Sequence, residues 1–200
     1  VKIKSIGIRI ALCILFTAGI SFAADTYVPD PAHTNVGFTA THLVITKVIG
    51  KFKEFSATVV YDPQDISKSS LNGTIKTASI TTDNDKRDKD LKGEGFFDVE
   101  KYPEITFQST EVSQKANEIW VTGNLTIRSV TKEVSFPVTI AGPIKDPWGH
   151  TKLGIEATLT INRQDFEVSW NKSLDGGGVL VSDQVQISIN SELVKQEAKN

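Results

Sequence analysis

The sequence predicts an all-β protein with an antiparallel sheet and one short helix. Eight runs alternate apolar and polar residues with a period of two. Turn-forming residues separate the runs, and only Asn84 to Lys92 reads as helical. Short connections and one-sided strands are the signature of antiparallel pairing.

Taken in order, Val36, Phe38 and Ala40 share the first apolar face, with Thr39 and Thr41 opposite. Phe55, Ala57, Val59 and Tyr61 make the second, Leu71, Gly73 and Ile75 the third, Ile105 and Phe107 the fourth. Ile119, Val121, Gly123, Leu125 and Ile127 alternate with Trp120, Thr122, Asn124, Thr126 and Arg128. Val134, Phe136, Val138 and Ile140 follow. Leu153, Ile155, Ala157, Leu159 and Ile161 face away from Glu156, Thr158, Thr160 and Asn162, and Val185, Ile187, Ile189 and Leu193 close the series. The expected turns are Tyr61-Asp62-Pro63, Lys115-Ala116-Asn117, Gly142-Pro143, Pro147-Trp148-Gly149 and Asp175 to Gly178. So many long strands leave exposed edges unless the sheet closes or splits into two layers. An eight-stranded barrel has room for packed side chains or one small ligand. Alternation alone leaves barrel and sandwich both open. Gly73 and Gly123 lie on apolar faces, where glycine marks a bend or a close approach.

The first 23 residues read as a secretory signal peptide, leaving 24–200 as the folded domain. Lys2, Lys4 and Arg9 form a basic start, Ile10 to Ile20 carries no charge, and Ser21 and Ala23 put small residues at −3 and −1 of a cut after Ala23. A cut after Ala24 would put Phe22 at −3. A retained anchor needs roughly 20 apolar residues, more than this run supplies. Val1, with no methionine in the chain, fits a non-AUG start and so a bacterial gene, which makes the expected location the periplasm. Cys13 is the lone cysteine and leaves with the leader, so thiol chemistry and disulfides are excluded from the mature chain. The leader takes three of the 22 Lys and Arg, leaving 19 against 24 Asp and Glu, a net charge of −5. Nucleic acid and anionic surfaces are poor partners for such a chain.

From Asp83 to Phe107 the β-alternation stops. A charged stretch feeds into Phe96-Phe97 and then Tyr102-Pro103, the composition of a lid or rim. Asp83, Asp85 and Glu94 match positions 1, 3 and 12 of a calcium loop, but Arg87 and Asp88 stand where a ligand oxygen and a glycine are needed. His33, His42 and His150 show no metal-ligand spacing, and the chain has no GxSxG elbow and no phosphate loop. No cofactor is implied.

Arg163 and Asp165 continue the face that runs from Leu153 to Ile161. A charged pair on a core-facing stripe needs partners. Either Arg163 clamps a lid carboxylate such as Asp88, or the pair anchors a ligand head group. Phe38, Phe52, Phe55, Phe96, Phe97, Phe107, Phe136, Phe166 and Trp170 are enough to line an apolar tunnel, and equally enough to fill an ordinary core.

The chain resembles the YceI-like family of periplasmic, lipocalin-like proteins that bind polyisoprenoids. The resemblance rests on Asp30-Pro31-Ala32-His33-Thr34-Asn35-Val36-Gly37-Phe38, His42-Leu43 and the run from Val48 to Phe55. It extends through Arg87 to Leu91, Phe96 to Phe107, Gly123 to Ile127, Asn162 to Phe166 and Val181 to Val185. It implies an eight-stranded antiparallel, lipocalin-like β-barrel with a helical lid, holding a long isoprenoid or related amphiphilic lipid, quinone-related lipids included, in its lumen. The family often has His where Asp90 stands and Gly where Ser129 and Glu167 stand.

The resulting expectation is a lipid-binding or carrier protein without catalysis. Phe38, Phe55, Phe97, Phe107, Phe136 and Trp170 are the expected lumen contacts. Arg163, Asp165, Arg87 and Asp88 are expected at a polar mouth under the segment from Asn84 to Phe97. The rivals are an enzyme acting on a lipid and a stress-associated interaction module with no small ligand. The expected partner is an isoprenoid or fatty amphiphile, with no stable membrane anchor; a homodimer is left open.

Overall fold

The computed structural model describes residues 24–197. The expected signal peptide lies outside the described residues. Ten strands follow in chain order: β1 (Asp25–His42), β2 (Thr46–Phe52), β3 (Phe55–Tyr61), β4 (Ser70–Lys76), β5 (Ile80–Thr81), β6 (Glu104–Lys115), β7 (Glu118–Ile127), β8 (Val130–Lys145), β9 (Thr151–Asn162) and β10 (Val181–Lys195). The helix α1 (Asp85–Lys92) lies between β5 and β6.

Every pairing is antiparallel, and β10 returns to β1, so the sheet closes on itself. The closure removes the edges that an open sheet of this length would expose. Two staves of the barrel are broken. β2 and β3 lie in line along β1, pairing with its residues 36–42 and 25–27. β5 and β4 lie in line along them in turn. Ten strands therefore make an eight-stranded barrel, and the sandwich is excluded.

The alternating runs correspond to β1, β3, β4, β6, β7, β8, β9 and β10. β2 went unread because its inward positions are Val48, Gly50 and Phe52. Gly50 has no side chain to show the pattern. The Phe38 ring fills the space where its Cβ would be.

Register shifts interrupt three strands, as bulges do in closed sheets. In β6 the shift between Ser109 and Glu111 moves the buried face from Ile105 and Phe107 to Val112. In β1 a shift lies between Pro29 and Thr34. Gly142-Pro143 is not the expected turn. It lies inside β8, at a shift between Ala141 and Ile144, where the bulge needs no ladder hydrogen bond from proline.

The interior divides into three stacked clusters. Ile105, Leu125, Ile127, Ile161 and Phe166 pack beneath the lid. Val112, Val121, Phe136, Val138 and Ala157 occupy the middle. Tyr27, Val59, Leu153 and Leu193 seal the far end, where the start of β1 and the end of β10 lie beside the β8–β9 turn. Tyr27, at 1% exposure, is the plug of that end and was not read from the sequence.

α1 begins at Asn84, whose side-chain oxygen accepts from the Arg87 backbone N–H at 3.0 Å. Asp85 and Asp88 lie in its first turn and Lys89 and Lys92 in its last, matching the helix dipole. The helix buries no residue fully. A helix polar all round needs tethering from outside. Asp88 and Arg87 supply it by gripping Thr81 and Thr82 of the preceding segment.

Candidate functional site

Inward side chains of all eight staves surround a cavity of about 270 Å³. That is close to the lower end of the roughly 300–1,000 Å³ usual for small-molecule sites. It runs from Arg163, Phe166 and Val168 under the lid to Tyr61, Leu71 and Leu193 near the sealed end. Space persists at mid-height because Ala57 and Gly73 stand side by side in register, across from Phe107. A Cβ added to Gly73 would meet nothing nearer than 3.8 Å.

Phe38, Phe55, Phe97, Phe107 and Phe136 all line this cavity. The rings organise one another. Phe52 packs against Phe38 at 5.9 Å and takes the edge of Phe97 at 5.8 Å. Phe107 meets Phe136 at 5.6 Å. Leu91 and Phe96 join Phe97 in the roof, so the aromatic half of the lid segment faces inward as its composition implied.

Trp170 does not line the cavity. It is 42% exposed and lies over the outside of the lid. Its ring stacks on Phe96 at 5.3 Å, and its backbone N–H donates to the Gly95 carbonyl. Gly95 eases that approach, since a Cβ there would lie 3.1 Å from the indole, which would have to give by a few tenths of an ångström.

The four charged candidates do not form a polar mouth. β9 ends at Asn162 and the chain turns into a 3-10 helix from Arg163 to Phe166. The period of two is lost there, so Arg163 and Phe166 are buried while Asp165 points to solvent. Among the described residues, Arg163 is the only charged one that lines the cavity. Its clamp is on backbone, not on Asp88. Nε donates to the Ser182 carbonyl at 2.9 Å, Nη1 to those of Val168 and Trp170 at 2.5 and 2.9 Å, and Nη2 to Val181 and the Asp183 carboxylate at 3.3 and 3.4 Å. All five N–H donors of the guanidinium are engaged, which leaves none for a head group. Burial pushes the guanidinium below its ordinary value and Asp183 opposes that shift.

Asp88 and Arg87 are equally occupied. The Asp88 carboxylate accepts from the Thr82 backbone N–H at 2.7 Å, from its hydroxyl at 2.6 Å and from the Thr81 hydroxyl at 2.9 Å. Arg87 donates to the Thr82 hydroxyl and carbonyl at 2.7 and 3.0 Å. Neither residue reaches the cavity; both bind α1 to the barrel rim.

Arg128 was not singled out from the sequence. It sits with Ser129 in the two-residue β7–β8 turn, both at positive φ, 50° and 65°. One of its nitrogens donates to the carbonyls of Phe96 and Glu167, at 2.8 and 2.7 Å, and its guanidinium lies 5.3 Å over the Tyr102 ring. It staples the lid to the β9–β10 connection. The only hint in the sequence is its place between the two alternating runs that become β7 and β8.

At the sealed end Asp30, His33 and Glu192 lie within 4.8 Å of one another, close enough to hold a metal ion. A cation is already supplied. The Lys152 ammonium bonds Glu192 and lies 3.7 Å from both Asp30 and Asp146. His33 pairs with Asp30 at 3.0 Å and His150 with Asp146 at 3.1 Å. The cluster reads as an ion-pair lock joining β1, β9 and β10.

A closed antiparallel barrel with an apolar lumen and a helical lid defines the lipocalin-like class. Within it the chain belongs to the YceI-like family, whose domain model matches residues 27–193. The "Protein YceI" of Salmonella newport (strain SL254) is 36% identical over 92% of this chain and 94% of its own. The crystal structure of Burkholderia cenocepacia BcnA superposes with a TM-score of 0.73 at 29% identity, over 82% of this chain and 98% of that one. A polyisoprenoid binding domain from Saccharophagus degradans, implicated in plant cell wall breakdown, shares the fold at 11% identity, with a TM-score of 0.64 over 86% of this chain and 99% of that one. No helix among the described residues is long and apolar enough to cross a membrane.

Proposed function

We propose that this protein is a periplasmic binding or carrier protein that holds a long isoprenoid or related amphiphile, quinone-like lipids included, in its barrel lumen. One observation carries the reading: the lumen is walled by aliphatic and aromatic side chains, and its one charged group, Arg163, has every N–H donor committed to the protein. Such a cavity rewards hydrocarbon and penalises a buried head-group charge. Each methylene moved from water into it is worth about 0.8 kcal/mol, so a few isoprene units suffice for tight retention. Phe38, Phe55, Phe97, Phe107 and Phe136 are the proposed contacts with the tail.

A binding role is favoured over catalysis by the chemistry of the walls. Among the described residues, no carboxylate, histidine, lysine or cysteine lines the lumen, and proton transfer needs such a group within reach of the reacting atom. The fold of the Saccharophagus degradans polyisoprenoid binding domain supports the choice of ligand class.

Organic extraction of natively purified protein followed by mass spectrometry tests the reading. A long-chain lipid in near-stoichiometric amount is the expected result. Protein that yields no lipid and takes up no prenol from detergent would overturn it.

A further inference from the structure

Among the described residues, five of the seven exposed large apolar ones gather at the lid end of the barrel: Leu43, Val44, Ile45, Ile49 and Trp170. Three of them are consecutive and form the tip of the β1–β2 hairpin. Val44 is 65% exposed, Ile45 82%, and Ile49, on the outer face of β2, 71%.

The tip is also built from residues that its backbone disfavours. The turn is closed by the Ile45 N–H donating to the His42 carbonyl, and its two central residues, Leu43 and Val44, have φ of 52° and 66°. Positive φ at both central positions is the type I′ arrangement, which selects Asn-Gly. A β-branched residue there is strained. Folding alone would favour small polar residues at this turn, both for φ and for solvent. Val44 reaches toward Gly178, but Ile45 and most of Val44 stay open to solvent, so the protein's own packing leaves this apolar tip largely uncovered.

Its surroundings have a definite chemistry. Lys47 and Lys51 flank Ile49 on the outward face of β2 and form no ion pair among the described residues. Their partners in register are Thr41, Gly37 and Thr81, and Thr39 lies opposite Ile49, so no carboxylate shares this row. An apolar wedge backed by unpaired lysines is complementary to acyl chains beneath anionic head groups. The wedge also continues the lumen wall. Ala40, Val181 and Val185 line the cavity, Ala40 pairs with Val185, and the Leu43 N–H donates to the Leu180 carbonyl.

We propose that Leu43, Val44 and Ile45 form a wedge that dips transiently into an anionic lipid bilayer, with Lys47 and Lys51 at head-group level, bringing the lid end of the lumen to the membrane for lipid exchange. The exchange role rests on the lipid-holding reading above. The chain's negative overall charge opposes adsorption to an anionic surface, so the contact is confined to this lysine-backed wedge and stays reversible.

The double variant Leu43→Asn/Val44→Gly supplies the residues that a type I′ turn prefers, so it folds at least as stably as the parent chain. Both proteins are floated with vesicles of phosphatidylethanolamine and phosphatidylglycerol, and separately loaded with a detergent-solubilised prenol. The parent chain is expected to float and the variant to lose about ten-fold or more of its vesicle affinity, with equal prenol loading. A parent chain that does not float, a variant that floats as well, or a concentration-dependent dimer lost in the variant without flotation would each overturn the wedge. Prenol loading is read independently: its failure in both proteins would sink the lumen reading and leave the flotation result to stand or fall alone.

Discussion

Phe107 rests in the space that Gly123 leaves open on the neighbouring strand. A Cβ on Gly123 would come within 2.6 Å of the tip of that ring, 2.5 Å of the Gln108 carbonyl and 2.7 Å of the Ser109 Cα. Two of those three neighbours are backbone and cannot swing away. Gly123→Ala is therefore expected to lower stability by about 1–3 kcal/mol in a urea titration, the usual range for overpacking.

Gly73 answers the opposite way. It lies in register with Ala57 and Phe107 on the lumen face, with open space beyond its Cα. Gly73→Leu should fold with little loss and occupy the mid-height of the cavity. The amount of prenol bound per protein should fall several-fold while the urea midpoint stays near that of the parent chain. Unchanged capacity in a well-folded Gly73→Leu protein would place the ligand elsewhere.

The fold was legible because inward and outward residues alternate along most staves. It became illegible where the chain breaks the period: at Gly50, at the β6 bulge after Ser109, and at the 3-10 turn after Asn162. The same turn explains the misreading of Asp165. Extending the odd-numbered face past Asn162 points Asp165 inward, whereas the helical turn rotates it outward and brings Phe166 in. Phe38, Phe55, Phe107 and Phe136 follow the alternation onto the lumen face, whereas Trp170, beyond the last alternating position of β9, does not line it. The partners of Arg163 and Arg128 were not legible, because both grip backbone carbonyls, which leave no trace in residue identity.

Arg163 and Asp165 should consequently separate in mutation. Arg163→Met leaves the carbonyls of Val168, Trp170 and Ser182 without their donor in a buried setting, and a loss of about 3–5 kcal/mol is expected. Asp165→Asn alters an exposed carboxylate and should stay within about 0.5 kcal/mol of the parent chain, with lipid retention unchanged. Lost turnover of a lipid substrate in Asp165→Asn would instead support an enzyme.

Ser129 and Glu167 hold φ of 65° and 60°, the left-handed region where a side chain costs about 1–2 kcal/mol and glycine does not. Glycine also gives the unfolded chain more freedom, which offsets part of the gain. Glu167→Gly keeps the carbonyl that Arg128 grips. Each glycine variant should stabilise by about 0.5–1 kcal/mol, raising Tm by a few degrees for a chain of this size.

Asp88 sets the acid limit of the lid. Burial acts to raise its carboxyl, but the hydrogen bonds from Thr82 and Thr81 outweigh that and hold it below the ordinary value of 3.8. A carboxylate that is more acidic folded than unfolded contributes its full stability above the unfolded value and loses it as pH falls through the folded one. The grip of α1 on Thr81 and Thr82 is thus complete at neutral and mildly acidic pH, and weakens only below about pH 4. The Thr82 backbone amide, which donates directly to Asp88, reports the event: its proton resonance should move in a single step in that acid range. Asp88→Asn should remove the step and loosen the lid by about 1–3 kcal/mol at neutral pH, because a charge-assisted acceptor is replaced by a neutral one. An acid step that persists in Asp88→Asn would assign the lid's pH dependence to another carboxylate.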